Sequence, residues 1–335
     1  MMNIKTFTAS FIAAFAILSA AEASAYAVKT ADGQEDLKEF RDAVRLYGKG
    51  MTNRSRTLFD AMSDKDAKAD YEGYSVLCDV LMNTPGYELK MQEFFRNHPY
   101  SIHIPQIRYA NALNLFDALD YKAASEELAL IESKQLDKDQ RTEFLFKRAY
   151  CDLENNNLDL ALERFTEVEK LPVSDYSVPS RYAIGYINYQ KKEFKEALPW
   201  FEQSSVDSRF ESISNWYILE CRFMMHDYSY VVKNGPLMYE TLPQERKPHL
   251  ARIISESYLV LGDADSAKKY YTLSSGKDTP RSRADWFYSG SVLYAVEDYL
   301  PEYFKTVDIN SIGLTKDYLR KKELNRNSIG KYFVG

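Results

Sequence analysis

The chain has 335 residues, with 43 Lys and Arg against 49 Asp and Glu and a formal net charge of −6. That balance excludes nucleic-acid binding through a broad basic surface. No phosphate-cradling glycine loop, H-E-x-x-H, C-x-x-C or G-x-S-x-G occurs, so no motif-bearing enzyme or metal class is indicated, and no catalytic residue, metal or cofactor is expected.

The first element is a targeting segment. Lys5 supplies a minimal positive start, Phe11 to Leu18 centre an apolar run, and Ala23-Ser24-Ala25 is a small-x-small cleavage site. Residues 1–25 are therefore expected to be a signal peptide cleaved after Ala25, with Tyr26 as the mature N-terminus. The apolar run is too short for a comfortable membrane span. No Cys follows the cleavage site, so no lipid anchor is expected, and no other stretch is long enough to cross a bilayer. The expectation is a periplasmic or otherwise exported protein without a transmembrane span. Residues 26–34 read as a linker.

A repeat then occupies residues 35–310. Its clearest copies begin at Leu158, Phe194 and Ala264, each followed by a small residue three positions on, at Ala161, Ala197 and Ala267. Taking that small residue as anchor gives Ser55, Lys90, Ala124, Ala161, Ala197, Val231, Ala267 and Glu302, spaced 34 to 37 apart. Lys90 and Glu302 are poor anchors on their own. Twelve positions upstream stand Ala43, Cys78, Ala112, Ala149, Gly185, Leu219, Ser255 and Gly290, nearly all small. Offsets −15, −12 and −8 lie on one face of a helix, and −3, 0, +4 and +7 make the same stripe on a second. Between them, Asp120, Asn157, Glu193, Asp227, Asp263 and Asp298 stand four before the anchor, where Asp and Asn suit N-caps and tight turns. Each unit is predicted to be helix A, a short turn and a capped helix B. A period in this range indicates stacked hairpins. Glycine inside a helix costs about 1 kcal/mol, so Gly185 and Gly290 imply a close approach of helix A to the alanine of helix B. Pro199 and the run Asn234-Gly235-Pro236 fall inside predicted B helices and are expected to kink or break them.

The pattern resembles the tetratricopeptide repeat (TPR). Ile184-Gly185 and Ser289-Gly290 stand where that family has Leu-Gly, and Asp120-Tyr121 before Ala124 and Glu193-Phe194 before Ala197 match the start of its second helix. The resemblance implies an all-α, right-handed superhelical solenoid of about eight helix-turn-helix repeats. It also implies a non-enzymatic scaffold of the cell envelope that captures a peptide or protein partner on a concave face lined by helix A. The 14% aromatic content falls mostly on the internal stripes and reads as packing. Beside the stripe, offset −11 carries Tyr150, Tyr186, Glu220 and Glu256, an aromatic strip running into an acidic one, and these four are the candidate partner-binding residues. The alternative is a glycan-binding component of an envelope nutrient-capture complex. It would need Tyr150, Tyr182, Tyr186 and Trp216 exposed together on one wall.

Three features complete the reading. Cys78, Cys151 and Cys221 fall on A helices of repeats that are not neighbours, so buried thiols without an intramolecular disulfide are expected. His98 and His103 flank a Pro-containing turn, with no third ligand at a telling spacing, and read as part of that turn. Residues 311–335 form a basic segment in which Ile329-Gly330 resembles the opening of a further helix A, suggesting an incomplete repeat.

Overall fold

The computed structural model describes residues 34–62 and 68–274. The signal segment, the repeat anchored at Glu302 with Gly290 and Asp298, and the basic C-terminal segment lie outside the described residues. Within them there are fourteen α-helices and no strands. The helices follow as hairpins: α1 (Gln34–Gly48) with α2 (Thr52–Ala61), α3 (Lys68–Leu81) with α4 (Tyr87–Asn97), α5 (Ile104–Asp117) with α6 (Tyr121–Ala129), and α7 (Lys138–Glu154) with α8 (Leu158–Glu169). They continue as α9 (Ser177–Gln190) with α10 (Phe194–Ser204), α11 (Glu211–Met224) with α12 (Tyr228–Thr241), and α13 (Lys247–Val260) with α14 (Ala264–Ser274). The chain divides into two compact units at Ser180/Arg181, inside α9. No helix among the described residues is long and apolar enough to cross a membrane.

The predicted crossing point is physical. All seven upstream positions from Ala43 to Ser255 are buried, and so are the anchors Ser55, Ala124, Ala161, Ala197, Val231 and Ala267. Two hydroxyls mark how near the helices come. Ser55 at the first anchor donates to the carbonyl of Ala43 at 2.7 Å, and Ser255 donates to the carbonyl of the anchor Ala267 at 2.6 Å. Only a small residue leaves the opposite backbone within such reach. At Gly185 a Cβ would lie 3.0 Å from the Phe201 ring, which accounts for a glycine in mid-helix.

The second hairpin departs from the predicted register. Lys90 is exposed, while Tyr87, Met91 and Phe94 form the buried stripe of α4 and pack with Val76, Leu77, Val80 and Ile107. Met91 is thus the anchor, one residue later. The cause is Asp79, which is fully buried on α3 and pairs with Lys90 at 2.6 Å and Arg56 at 2.9 Å. Rotating α4 by one residue lets Lys90 reach that carboxylate while its own end stays in water.

The turns are more regular than the sequence announces. Gly50, Leu119, Asn156, Lys192, His226 and Gly262 all adopt positive φ, five residues before their anchors. In each, that residue's N–H bonds back three residues and the following N–H bonds back five, as in Leu119 to Phe116 and Asp120 to Leu115. This pair of bonds is the Schellman turn, which satisfies the last carbonyls of helix A. The next residue then opens helix B. Asp120, Asp227 and Asp263 accept from Ala123, Tyr230 and Ser266 N–H groups, whereas Asn157 and Glu193 make no side-chain cap bond. Leu119, at φ 65°, sits in a conformation that costs a branched residue about 1–2 kcal/mol, and its side chain is exposed. Leu119→Gly is therefore expected to raise stability by about 0.5–1 kcal/mol after the greater freedom of glycine in the unfolded chain is counted. Denaturant unfolding checks this, and a lower midpoint would contradict it.

Neither proline breaks its helix. Pro199 lies inside α10 and Pro236 inside α12, and both helices run through. Pro236 leaves the Val232 carbonyl without its helical donor, and the Tyr258 hydroxyl of α13 reaches that oxygen at 3.4 Å. The neighbouring Gly235 stands where other described repeats carry Phe, Leu or Tyr. Its missing side chain is replaced by Ile254, whose atoms come within 2.7 Å of where a Cβ would be.

Candidate A-helix face of the second unit

In the second unit the A helices α9, α11 and α13 are laced together by side chains. Tyr217 of α11 is the hub: its ring stacks on Phe201 at 4.9 Å and meets Tyr186 and Tyr189 of α9 edge-on at 5.8 and 4.9 Å. Glu220, one turn on, bridges both neighbours. The Tyr189 hydroxyl donates to one of its oxygens at 2.9 Å, and His249 Nε2 lies 2.9 Å from the other. His249 also faces the Trp216 ring at 5.5 Å, and the Arg246 guanidinium covers the same ring at 5.5 Å. Aromatic tips, a carboxylate, an imidazole and a guanidinium thus share one face.

The predicted residues fall in different places. Tyr186 and Glu220 come together on this face through Tyr189 and Tyr217. Glu256, on α13, is largely buried and pairs with Arg252 at 3.0 Å, one turn away on the same helix. Tyr150 is buried in the first unit, its ring packed against Phe116, Tyr121 and Phe146. Its ring is spent on the core, because α7 presents offset −11 inward there. The two carboxylates are likewise spent on internal partners, so the strip is not a bare acidic one. Its exposed polar group is the His249 imidazole, with the Arg252 and Arg246 guanidiniums half-buried.

Sequence reasoning missed Tyr189, Tyr217, Trp216, His249 and Arg246 as members of the face. Tyr189 and Trp216 lay on stripes assigned to internal packing. The available signal was a second spacing: the cross-helix pairs Tyr189–Glu220 and Glu220–His249 are 31 and 29 residues apart, about one and about two helical turns short of the repeats they span. Successive A helices meet diagonally, so the partner of a residue precedes its repeat equivalent.

The remaining candidates have structural roles. His98 Nε2 lies 2.8 Å from Glu72, and His103 Nε2 lies 3.1 Å from Asp70, so the α4–α5 turn is held to α3. Gly73 makes room for the His103 ring, which a Cβ would approach to 2.6 Å. Among the described residues no group of three or more His, Cys, Asp or Glu could hold a metal ion. Cys78, Cys151 and Cys221 are free and buried, and burial pushes each thiol up to about 12, which leaves them unreactive at neutral pH.

Burial also raises the tyrosines. Tyr47, Tyr109 and Tyr176 in the first unit and Tyr182 and Tyr189 in the second lie well above the ordinary phenol, with desolvation as the largest cause. For Tyr189 the Glu220 carboxylate adds to it. A raised folded value means the stabilisation is complete below the unfolded value of about 10 and is lost as pH rises above it. The part of the tyrosinate absorbance that comes from these five buried residues is expected to appear together with a loss of helical circular dichroism above pH ~10. Smooth phenol ionisation near 10 with helix content intact would contradict this.

The sequence matches no family model and no curated protein.

Proposed function

We propose that the chain is an exported, TPR-like scaffold of the cell envelope, wound as a right-handed superhelix of about eight hairpins. Its A helices capture a peptide or protein partner, and it carries no chemistry of its own. One observation carries this reading: the A helices of the second unit present a continuous face of half-buried tyrosines, Arg246 and His249, joined helix to helix. Tyrosine and arginine tips on a pre-organised backbone are the residue types that dominate interface energetics. The reading is further supported by the repeated hairpin and by the small-x-small site before Tyr26. Glycan stacking would draw on open aromatic faces, and Tyr150, Tyr182 and Trp216 are buried.

Photo-crosslinking residues placed at Tyr186 and at His249 test it in the native envelope. Both are expected to trap partner at least tenfold more than the same residue at Glu196, which is exposed on the B helix α10. Tyr186→Ala is expected to cost about 1–2 kcal/mol of binding without loss of helix content. Equal trapping at all three positions would overturn the assignment. Charge reversal at Glu220 is a poorer test, since it would also break the bracket to Tyr189 and His249.

A further inference from the structure

The turn joining α11 to α12 places three consecutive donors at the surface: Met224, Met225 and His226. Met224 and Met225 are 47% and 38% exposed as residues, and His226 is exposed with them. Met62, Met91 and Met238 lie in or against the core, and Met51, the other exposed methionine among the described residues, stands without a second methionine or a histidine beside it in the chain. An adjacent pair of methionines in water gives up the burial that ordinarily places this residue.

His226 also differs from the other histidines. His98, His103 and His249 each direct Nε2 at a carboxylate, at 2.8, 3.1 and 2.9 Å. His226 instead engages the Tyr228 hydroxyl through Nδ1 at 2.7 Å. With the proton on Nδ1, that N–H donates to the phenol oxygen and Nε2 keeps its lone pair. A bond of this kind, made by the ring nitrogen that faces away from the ion, fixes the tautomer and ring orientation of metal-ligating imidazoles. The nearest carboxylate, Asp227, is occupied by Arg222 at 3.3 Å and by the Tyr230 N–H. The turn therefore offers two soft sulfurs and an imidazole without a free hard anion. Neighbouring Cα atoms are about 3.8 Å apart and each sulfur swings on two rotatable bonds of an unbranched side chain, so rotamer changes can bring the three donors to one ion.

Thioether with imidazole is a donor set suited to monovalent copper, whereas magnesium and calcium require oxygen. We propose that Met224, Met225 and His226 form a surface site for Cu(I). This site is independent of the partner face.

Anaerobic Cu(I) titration of the full chain, followed by the methionine methyl resonances and the histidine ring signals, tests the proposal. One equivalent is expected to shift the Met224 and Met225 methyls and the His226 ring, leaving the other seven methionines unshifted. The triple variant Met224→Leu, Met225→Leu, His226→Asn is expected to bind at least tenfold more weakly. Leucine matches methionine in volume and asparagine tolerates the left-handed backbone, so the variant's circular dichroism should match the parent's. Zn(II) should leave the methyls in place. The proposal is overturned by absence of a methyl response, by a response spread evenly over all nine methionines, by equal shifts with Zn(II), or by unchanged affinity in the folded variant.

Discussion

Removing Arg56 and Lys90 together, as Arg56→Ala with Lys90→Ala, is expected to destabilise the α2–α4 region by about 3–5 kcal/mol. Asp79 is fully buried and these two cations are its ion-pair partners, at 2.9 and 2.6 Å. Without them a carboxylate is left uncompensated in the interior, where desolvation is far costlier than the loss of a surface pair. The sign of a third substitution is diagnostic. Adding Asp79→Leu removes the stranded charge and is expected to restore most of the loss. Repeat proteins draw stability from neighbouring units, so hydrogen exchange across α2 to α4 is the suitable readout. A double variant within 1 kcal/mol of the parent, or a triple variant no better than the double, would count against the bracket.

Phe201→Ala is expected to cost about 3–5 kcal/mol. Phe201 is fully buried, lies against Gly185, stacks on Tyr217 and meets Tyr182 edge-on. Its loss opens a cavity at the helix crossing and removes the support under the Tyr217 hub. Gly185→Leu alone is expected to overpack the same contact by about 1–3 kcal/mol. Combining them lets the new leucine occupy the space of the lost ring, so the double variant should be less damaged than the sum, with a coupling of about 0.5–3 kcal/mol. Additive losses in chemical denaturation would show that the two residues do not share one crossing. Partner trapping at Tyr186 should fall with Phe201→Ala, because Tyr186 packs on the hub that Phe201 supports.

Much of this organisation could be read from single residues. Gly185 in mid-helix signalled a close approach, and what it approaches is the Phe201 ring, one turn beyond the expected alanine Ala197. The crossing positions from Ala43 to Ser255 were visible because a helix repeats its faces every three to four residues, and that rule needs no knowledge of neighbours. Asp120, Asp227 and Asp263 were legible as caps for the same local reason. The turn conformation was only partly legible. Gly50 and Gly262 advertise positive φ, whereas Leu119 and Lys192 hide it, since the Schellman bonds of the preceding helix impose it regardless of side chain.

The candidate site was less legible. Tyr186 and Glu220, chosen from their offset, lie together on the candidate face, but Tyr150 at the same offset is buried in the first unit and Glu256 is paired within its own helix. Equivalent positions in a repeat share a local direction, while their surroundings depend on which residues the next helix brings. His249 has the clearest case: nothing near it in the chain suggests Glu220, and only the crossing of α11 and α13 joins them.

The sequence by itself determined the repeat period, the hairpin, the small crossing residues and the capped turns, because each follows from bonding and periodicity within a few residues. The tertiary structure alone decided the one-residue shift that buries Met91 and frees Lys90, and the passage of α12 through Pro236 beneath Tyr258. It also decided the assembly of tyrosines, His249 and Arg246 around Glu220. Those three outcomes rest on side chains from separate hairpins meeting at helix crossings, and crossing geometry is set by packing rather than by the pattern along any one helix.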